Sequence, residues 1–329
     1  MPSRWGMFMA RHDKQHNYRG RHAERPTEIT TSGWRDTFLR VKEQLDRDHV
    51  TLIAAGVAFY GLLAIFPAIA ALISLWGLLL DPQQIEQQIT SLGSILPPEA
   101  ASLLEQQARK VVKNTGSGIN LTAIGGILFA VFSASRGVKG LIEGMNVVYD
   151  EDESRSLIKR TLMTLALTSG LIITTIITLA ALIFIPAVAG HLPFGDTVSI
   201  LILYSRWPLL IVLAMLSIAV LYRYGPHRAK PRWEWVSIGT VSATLLWILG
   251  SIGFSLYVRN FSSFDETYGS LGAVVILLIW FWLSAFIVLL GGELNNEMER
   301  QTKRDTTERP EQSIGNRNAH AADTVGEKP

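Results

Sequence analysis

The clearest candidate for chemistry in this sequence is Glu293, an acid that follows 26 residues without a charge. Asn295 and Asn296 come directly after it, in the segment LLGGELNNEMER. A carboxyl group that ends a long apolar run lies near membrane depth, where ionisable side chains are rare and functional. Glu293 is therefore predicted either to couple a proton or orient a substrate, with Asn295 beside it, or to form a salt bridge with a basic loop on the inner side.

Three further polar residues lie at the ends of predicted membrane helices. Arg136, in FSASRGVKGLIEGMN, is predicted to hold an anionic headgroup or substrate, or to anchor its helix by reaching toward the interface. Asp265 and Tyr268 belong to RNFSSFDETYGSLGA, where Asp265 is also able to cap the following helix. Together with Glu293 and Asn295, these three are the candidate pathway or headgroup contacts.

The residue types give little support to enzyme chemistry. The chain has no cysteine, which excludes thiolate zinc sites, iron–sulfur clusters and Cys nucleophiles. Of the seven histidines only His12 and His16 have the spacing of metal ligands, and the sequence contains no nucleotide-binding glycine loop, HExxH motif or G-x-S-x-G elbow. We therefore predict a protein that is not an enzyme and has no catalytic residue, resident metal or cofactor.

The elements that position the candidate residues are predicted to be membrane helices. Of 329 residues, 48% are hydrophobic and only 18% are charged, a smaller charged share than a soluble protein usually has. A helix needs about 20 apolar residues to cross the bilayer. The charge-free stretches predict an all-α, polytopic membrane protein with six spans, at about 50–80, 115–135, 161–190, 201–222, 235–258 and 267–292.

The distribution of Lys and Arg predicts the direction of these spans. Cytoplasmic loops carry the excess of basic residues. Of the 30 Lys and Arg residues, 25 lie in the two tails and in the alternate loops that six spans place on the same side. Both termini are therefore predicted to be cytoplasmic, in a multi-pass membrane protein.

The segments outside the spans have different predicted roles. Residues 1–32 form a basic, flexible tail, and about 33–48 form an amphipathic helix on the inner leaflet, because Trp34, Phe38, Val41 and Leu45 recur at helical spacing. Residues 81–114 form an external helical segment. Residues 301–329 contain no aromatic and few aliphatic side chains, which predicts disorder.

Small residues at four-residue spacing predict where the membrane helices approach one another, since lipid gives helices no hydrophobic reason to associate. These candidate packing residues are Gly126, Ala130 and Ala134 in the second span and Gly239 and Ala243 in the fifth. Their faces lie inside the bundle or at the seam of a homo-oligomer. Pro67, in the first span, is a candidate hinge, either at a transport pathway or as an ordinary structural kink.

Four segments carry a family resemblance. They are LIAAGVAFYGLLAIFPAIAALISLWGLLLDP, FSASRGVKGLIEGMNVVYDEDESRS, YGPHRAKPRWEWVSIG and TYGSLGAVVILLIWFWLSAFIVLLGGELNNE. In this order, over about residues 35–300, they resemble the YihY family, also called the virulence factor BrkB family. His227 stands where that pattern has Asn. The resemblance implies a six-helix inner-membrane protein, and the ribonuclease BN label that the family has carried looks like a misassignment.

The resemblance also implies a role at the cell envelope, because serum resistance and export of lipids or other solutes are associated with family members. We therefore expect a transporter or lipid-handling protein whose partners are membrane lipids, including anionic headgroups, and not nucleic acid. A noncatalytic membrane scaffold that recruits partners is the second hypothesis. A membrane-associated nuclease is the third.

Overall fold

The computed structural model describes residues 19–79, 121–191, 196–260, 270–308 and 310–327, which are predominantly helical. The helices are α1 (Thr31–Arg47), α2 (Val50–Leu79), α3 (Leu121–Val148), α4 (Leu157–His191), α5 (Asp196–Tyr224), α6 (Trp233–Asn260), α7 (Ser270–Glu299) and the short α8 (His320–Asp323). Within these ranges, β structure is limited to one isolated bridge, between Pro231 and Thr307. The predicted all-α class is confirmed for this part of the chain, and the predicted external segment 81–114 lies outside it.

Among the described residues, four helices are long and apolar enough to cross a membrane, over Leu157–Pro186, Leu201–Tyr224, Trp233–Arg259 and Val274–Glu299. A fifth is counted if α1 and the part of α2 up to Ile65 form one bent span. Large apolar side chains point away from the protein: Leu162, Leu201 and Leu249 are 61%, 64% and 65% exposed. A lipid environment accommodates such a surface, whereas water does not. A membrane protein with several apolar helices is confirmed, and the number six and the direction of the termini stay predictions.

The described helices form two compact units. The first contains the described residues up to Ile53, then Leu141–Leu249, then those from Phe286 onward, and the second contains those in Ala54–Gly140 and Gly250–Ala285. Within the second unit, glycines permit close helix packing. A Cβ atom on Gly140 of α3 would lie 3.3 Å from Val57 of α2, and one on Gly61 would lie 3.6 Å from the Phe281 ring of α7.

A sharp bend joins α1 to α2. The two helix axes differ by 61°, and the change of direction occurs at Asp48 and His49. Asp48 caps the end of α1, and His49 has a φ of 49°, in the left-handed region. A left-handed residue is a usual way to end a helix. The bend therefore places the Asp48 side chain at the junction of two helices.

Helix α1 is present where the sequence predicts it, but it buries a different face. Of the predicted apolar stripe Trp34, Phe38, Val41 and Leu45, Val41 is fully buried, whereas Phe38 is 57% exposed. The buried face is polar and consists of Asp36, Thr37, Arg40 and Gln44 around Val41. This face is buried because Arg40 finds carboxylate and carbonyl partners in the C-terminal part of the chain.

The structure differs from the prediction of a flexible start and a disordered end. Residues 19–30 are packed, with Gly20, Arg21 and Ala23 buried, and 301–308 and 310–327 are packed as well. The organiser of the C-terminal segment is Arg317, whose side chain is 4% exposed and donates to the carbonyl oxygens of Lys303, Arg304, Gln312 and Ala322. Disorder was inferred from missing apolar residues, yet hydrogen bonds around one buried cation order this segment.

Four segments of the first unit pack together, and we call them the polar cap: residues 19–30, 149–156, 225–232, and 301–308 with 310–327. The Lys303 amide donates to the Arg21 carbonyl at 2.9 Å, and the Ala229 amide donates to the Asn318 carbonyl at 2.8 Å. The amide of His320 donates to the Glu151 carboxylate at 2.7 Å. The C-terminal segment thus contacts all three of the others.

The loop that contains DEDES is part of the polar cap. Burial alone would raise the pKa of Glu153, but hydrogen bonds from Arg155 and Asn146 bring the pKa down to about 2. Arg155 also donates to the Gly225 carbonyl at 3.0 Å, and the Ser154 hydroxyl lies 3.2 Å from His227 Nδ1. The loop 149–156 is therefore fixed to the linker 225–232.

We predict that Arg317→Ala disorders residues 301–327 without removing the protein from the membrane. Four carbonyl groups lose a donor, at about 1 kcal/mol each. Hydrogen exchange of the purified protein should show faster exchange of amides across this segment. The exposed Arg304, 48% accessible, provides the control: Arg304→Ala should leave exchange unchanged. Equal exchange in Arg317→Ala and the wild type would contradict the role given to Arg317.

Candidate functional site: the buried polar end of α7

The last turns of α7 are the most deeply buried polar part of the described chain. Glu293, Asn295, Asn296 and Glu297 have no exposed surface, and Glu299 is 1% exposed. Three acids at the C-terminal end of a helix are unfavourable, since this end of the helix dipole is negative and burial removes solvation by water. Each of the three must therefore be balanced by a cation or by a proton.

Glu297 is balanced by two arginines. Arg40 of α1 pairs with its carboxylate through Nε and donates to the Glu297 carbonyl at 3.0 Å and to Gln301 Oε1 at 2.9 Å. Arg300 approaches the other carboxylate oxygen at 2.6 Å. These contacts attach the polar face of α1 to the end of α7.

Glu299 is balanced by Arg228 from the polar cap. The guanidinium group lies 2.5 Å from the carboxylate, with both side chains essentially buried, and it also lies over the Tyr149 ring at 4.8 Å. Burial disfavours the charge, but the attraction of Glu299 prevails and raises the pKa of Arg228. The Thr306 hydroxyl adds a second contact to Glu299 at 2.8 Å.

Glu293 is the exception, because no cation balances it within the described residues. No amide, hydroxyl or basic group there donates to either oxygen of its carboxyl group. Its neighbour is a second acid: the Asp48 carboxyl group, at the bend between α1 and α2, lies against it. The predicted salt bridge to a basic loop thus has no counterpart in the described part of the chain.

Asn295 has a packing role that the sequence did not indicate. Its Oδ1 atom accepts from the Gly239 amide at 2.8 Å, and its Nδ2 atom donates to the Val236 carbonyl at 3.4 Å. Both ends of the amide are therefore engaged by the backbone of α6. Asn296 similarly donates to the Val148 carbonyl at 2.8 Å.

The glycine and alanine predicted to pack on the fifth span lie at this contact. A Cβ atom on Gly239 would collide with Asn295 and with the Gly291 carbonyl, and one on Gly291 would lie 2.7 Å from Ala243 Cβ. Helices α6 and α7 approach closely here because these residues are small.

The other candidate residues lie elsewhere. Arg136 is exposed on α3 in the second unit, with its guanidinium group 4.9 Å from the Phe132 ring centre. Ala134 is half-buried on the same helix. Pro67 belongs to α2, and Gly126 and Ala130 belong to α3. Asp265 and Tyr268 lie outside the described residues.

Several functional residues escaped sequence reasoning, chiefly Asp48, Arg40 and Arg228. Asp48 belongs to no motif of the sequence, and the two arginines lie in generally basic segments. The signal available in the sequence is the three acids of ELNNEME, because three buried acids require three balancing groups elsewhere in the chain. Among the described residues, no group of three or more His, Asp or Glu side chains is arranged to hold a metal ion.

A polar cavity of about 570 Å³ opens beside this site. Its walls include Arg40, Gln44 and Arg47 of α1 and Glu297 and Arg300 at the end of α7. It therefore brings solvent to the residue that precedes Asp48, while Glu293 remains fully buried.

We predict that Gly239→Ala destabilises the protein by about 1–3 kcal/mol, since the added methyl group forces α6 away from Asn295. The matched control is Gly253→Ala on the same helix, where a Cβ atom meets nothing within 4 Å. Thermal unfolding in detergent should show a lower midpoint for Gly239→Ala and an unchanged or higher one for Gly253→Ala. Equal midpoints for the two variants would refute the close approach.

Comparison with known proteins agrees with this architecture. The model of the family described as virulence factor BrkB matches residues 41–315. A protein named ribonuclease-like, YfkH of Bacillus subtilis, is 29% identical over 254 residues, covering 76% of this chain and 90% of YfkH.

Two relatives are named as membrane proteins. A UPF0761 membrane protein of Aliivibrio salmonicida is 26% identical, over 78% of this chain and 81% of the relative. A UPF0761 membrane protein of Vibrio cholerae is 25% identical, over 78% of this chain and 84% of the relative. No solved structure matches the chain. Because the family model covers most of its length, the chain belongs to the virulence factor BrkB family.

Proposed function

We propose that the protein is a multi-pass protein of a bacterial inner membrane that transports a solute or handles a lipid of the cell envelope. The observation that carries this proposal is Glu293, a fully buried carboxyl group without a balancing cation in the described residues, at the end of an apolar helix. A protein keeps such a costly group in a membrane when the group binds or moves something. Glu293 is the proposed coupling carboxyl group.

The contacts of the polar cap support six spans. Segments that touch one another lie on the same side of a membrane, so the chain crosses an even number of times between them. Residues 19–30 contact 301–327, and α4 to α7 supply four crossings between 156 and 301. If α2 crosses, α3 must therefore cross as well, which gives six crossings rather than five.

The direction of the spans follows from charge. The polar cap contains both described terminal segments and the loops between α3 and α4 and between α5 and α6, which belong to the four segments that together carry 25 of the 30 Lys and Arg residues. Because basic segments stay on the cytoplasmic side, we propose that the polar cap is cytoplasmic. Anionic lipid headgroups are then the proposed partners of its rim and of exposed Arg136.

A membrane scaffold is a second candidate, favoured by one observation. Phe38 and Leu39 lie exposed on α1, at 57% and 46%, beside exposed Arg35 and Lys42. Such a surface suits either the lipid interface or a partner protein. The double variant Phe38→Ser and Leu39→Ser separates the two functions, since a scaffold loses its partners in a pull-down and a transporter keeps its flux.

We predict that Glu293→Gln abolishes function at unchanged abundance in the membrane. In cells that lack the gene, the envelope lipid and exported-solute profile altered by its loss should be restored by the wild type and by Glu311→Gln, a change at an exposed acid. Glu293→Gln should restore this profile about tenfold less well than the wild type, or not at all, since a proton-transferring carboxyl group contributes at least that factor. Full restoration by Glu293→Gln would remove Glu293 from the mechanism.

The proposal includes no catalytic step, and the ribonuclease-like name of YfkH makes RNA cleavage the activity to test against it. Purified wild-type protein should leave RNA intact with or without divalent metal. Cleavage that a chelator removes would favour a nuclease instead.

A further inference from the structure

Two acids face one another at the bend between α1 and α2, and no described donor accompanies them. Glu293 has no exposed surface, and both of its carboxyl oxygens, together with Asp48 Oδ2, receive no hydrogen bond from an amide, hydroxyl or basic group. The two carboxyl groups instead lie against each other. We propose that Asp48 and Glu293 form a proton-binding site in which a single proton is held between the two carboxyl groups.

The chemistry of a carboxyl pair requires this proton. An ionised carboxylate is an acceptor only, so two of them have no hydrogen to share and repel each other. When one proton is bound, one acid donates to the other and the pair carries one negative charge instead of two. Fully buried Glu293 is the natural carrier of the proton, because burial disfavours its charged form.

The charged groups around the pair reinforce this arrangement. From the end of α3, Asp150 adds negative charge near both acids, and Tyr149 presents a buried hydroxyl. From α7, Glu297 is a further acid, already balanced by Arg40 and Arg300. Arg47, beside Asp48, is a partial counter-charge for that acid only, since its side chain is 64% exposed and lies 3.6 Å from Glu43. The pair therefore has no buried cation of its own among the described residues.

A proton fits this site better than a metal ion does. Sodium and similar cations need several oxygen ligands arranged around one point. The pair supplies two carboxyl groups, and among the described residues no third His, Asp or Glu joins them in an arrangement that could hold a metal ion. The nearby acceptors that no described donor reaches, Asn296 Oδ1 and the Tyr149 hydroxyl, nevertheless make sodium the alternative that an experiment must exclude.

The position of the pair gives the proton a route and a consequence. The polar cavity reaches Gln44 and Arg47 on α1, next to Asp48, and so brings water close to one side of the pair. Asp48 lies where α1 turns by 61° into α2, and Glu293 lies on α7. While the proton is bound, it holds the bend between α1 and α2 against α7. When the proton is released, the two carboxylates repel each other and move the bend away from α7. A proton is thereby the coupling ion of the proposed function. Only its coupling to transport rests on the proposed function, and the proton-binding site does not.

Infrared spectroscopy of the full-length protein in lipid tests proton binding without any substrate. A protonated carboxyl group has a carbonyl band distinct from that of a carboxylate, and we expect one such band from the buried site at neutral pH. Glu293→Gln should abolish it, and Asp48→Asn should shift it, because the hydrogen-bond partner changes. The matched control is Glu299→Gln: this acid is equally buried on the same helix but paired with Arg228, so its replacement should leave the band in place.

Each result decides the matter. Loss of the band in Glu293→Gln alone, with a shift in Asp48→Asn and no effect of exchanging sodium for potassium, supports the shared proton. Absence of the band in the wild type at neutral pH overturns it, as does a band that sodium removes, which would assign the site to a metal cation. If the band behaves as expected while Glu293→Gln still restores the envelope profile in cells, the proton site stands and the proposed transport function fails.

Discussion

The structure depends on one electrostatic constraint: three acids are buried at the C-terminal end of α7, where both burial and the helix dipole oppose negative charge. Glu297 is balanced by Arg40 and Arg300, and Glu299 by Arg228. Arg40 belongs to α1 and Arg228 to the linker between α5 and α6. The need for counter-charges therefore brings together segments that are far apart in the chain.

The polar cap follows from the same constraint. Its segments contain few apolar side chains, so apolar burial alone does not order them. Buried arginines do: Arg317 gathers four carbonyl groups within the C-terminal segment, and Arg40 joins α1 to α7 and to the Glu327 carbonyl. Removing one member of such a network leaves the others buried and unpaired, which makes the whole network cooperative.

The helical spans were predictable from sequence, since a run of about 20 apolar residues has few other stable solutions in a membrane. Glu293 was predictable as a candidate because it interrupts such a run. Its neighbour Asp48 was not, because a contact between residues 245 positions apart leaves no local pattern. The order of residues 301–327 was also missed, since it arises from the hydrogen bonds of Arg317 and not from hydrophobicity.

The buried acids of α7 organise the polar cap through their arginine partners. The most direct test is hydrogen exchange of Arg40→Met, which leaves Glu297 buried with one partner fewer, compared with Arg35→Met at an exposed position of the same helix. Arg40→Met should accelerate exchange in both 19–30 and the C-terminal segment, whereas Arg35→Met should not. Unchanged protection of both segments in Arg40→Met would show that the arginine partners of α7 do not organise the polar cap.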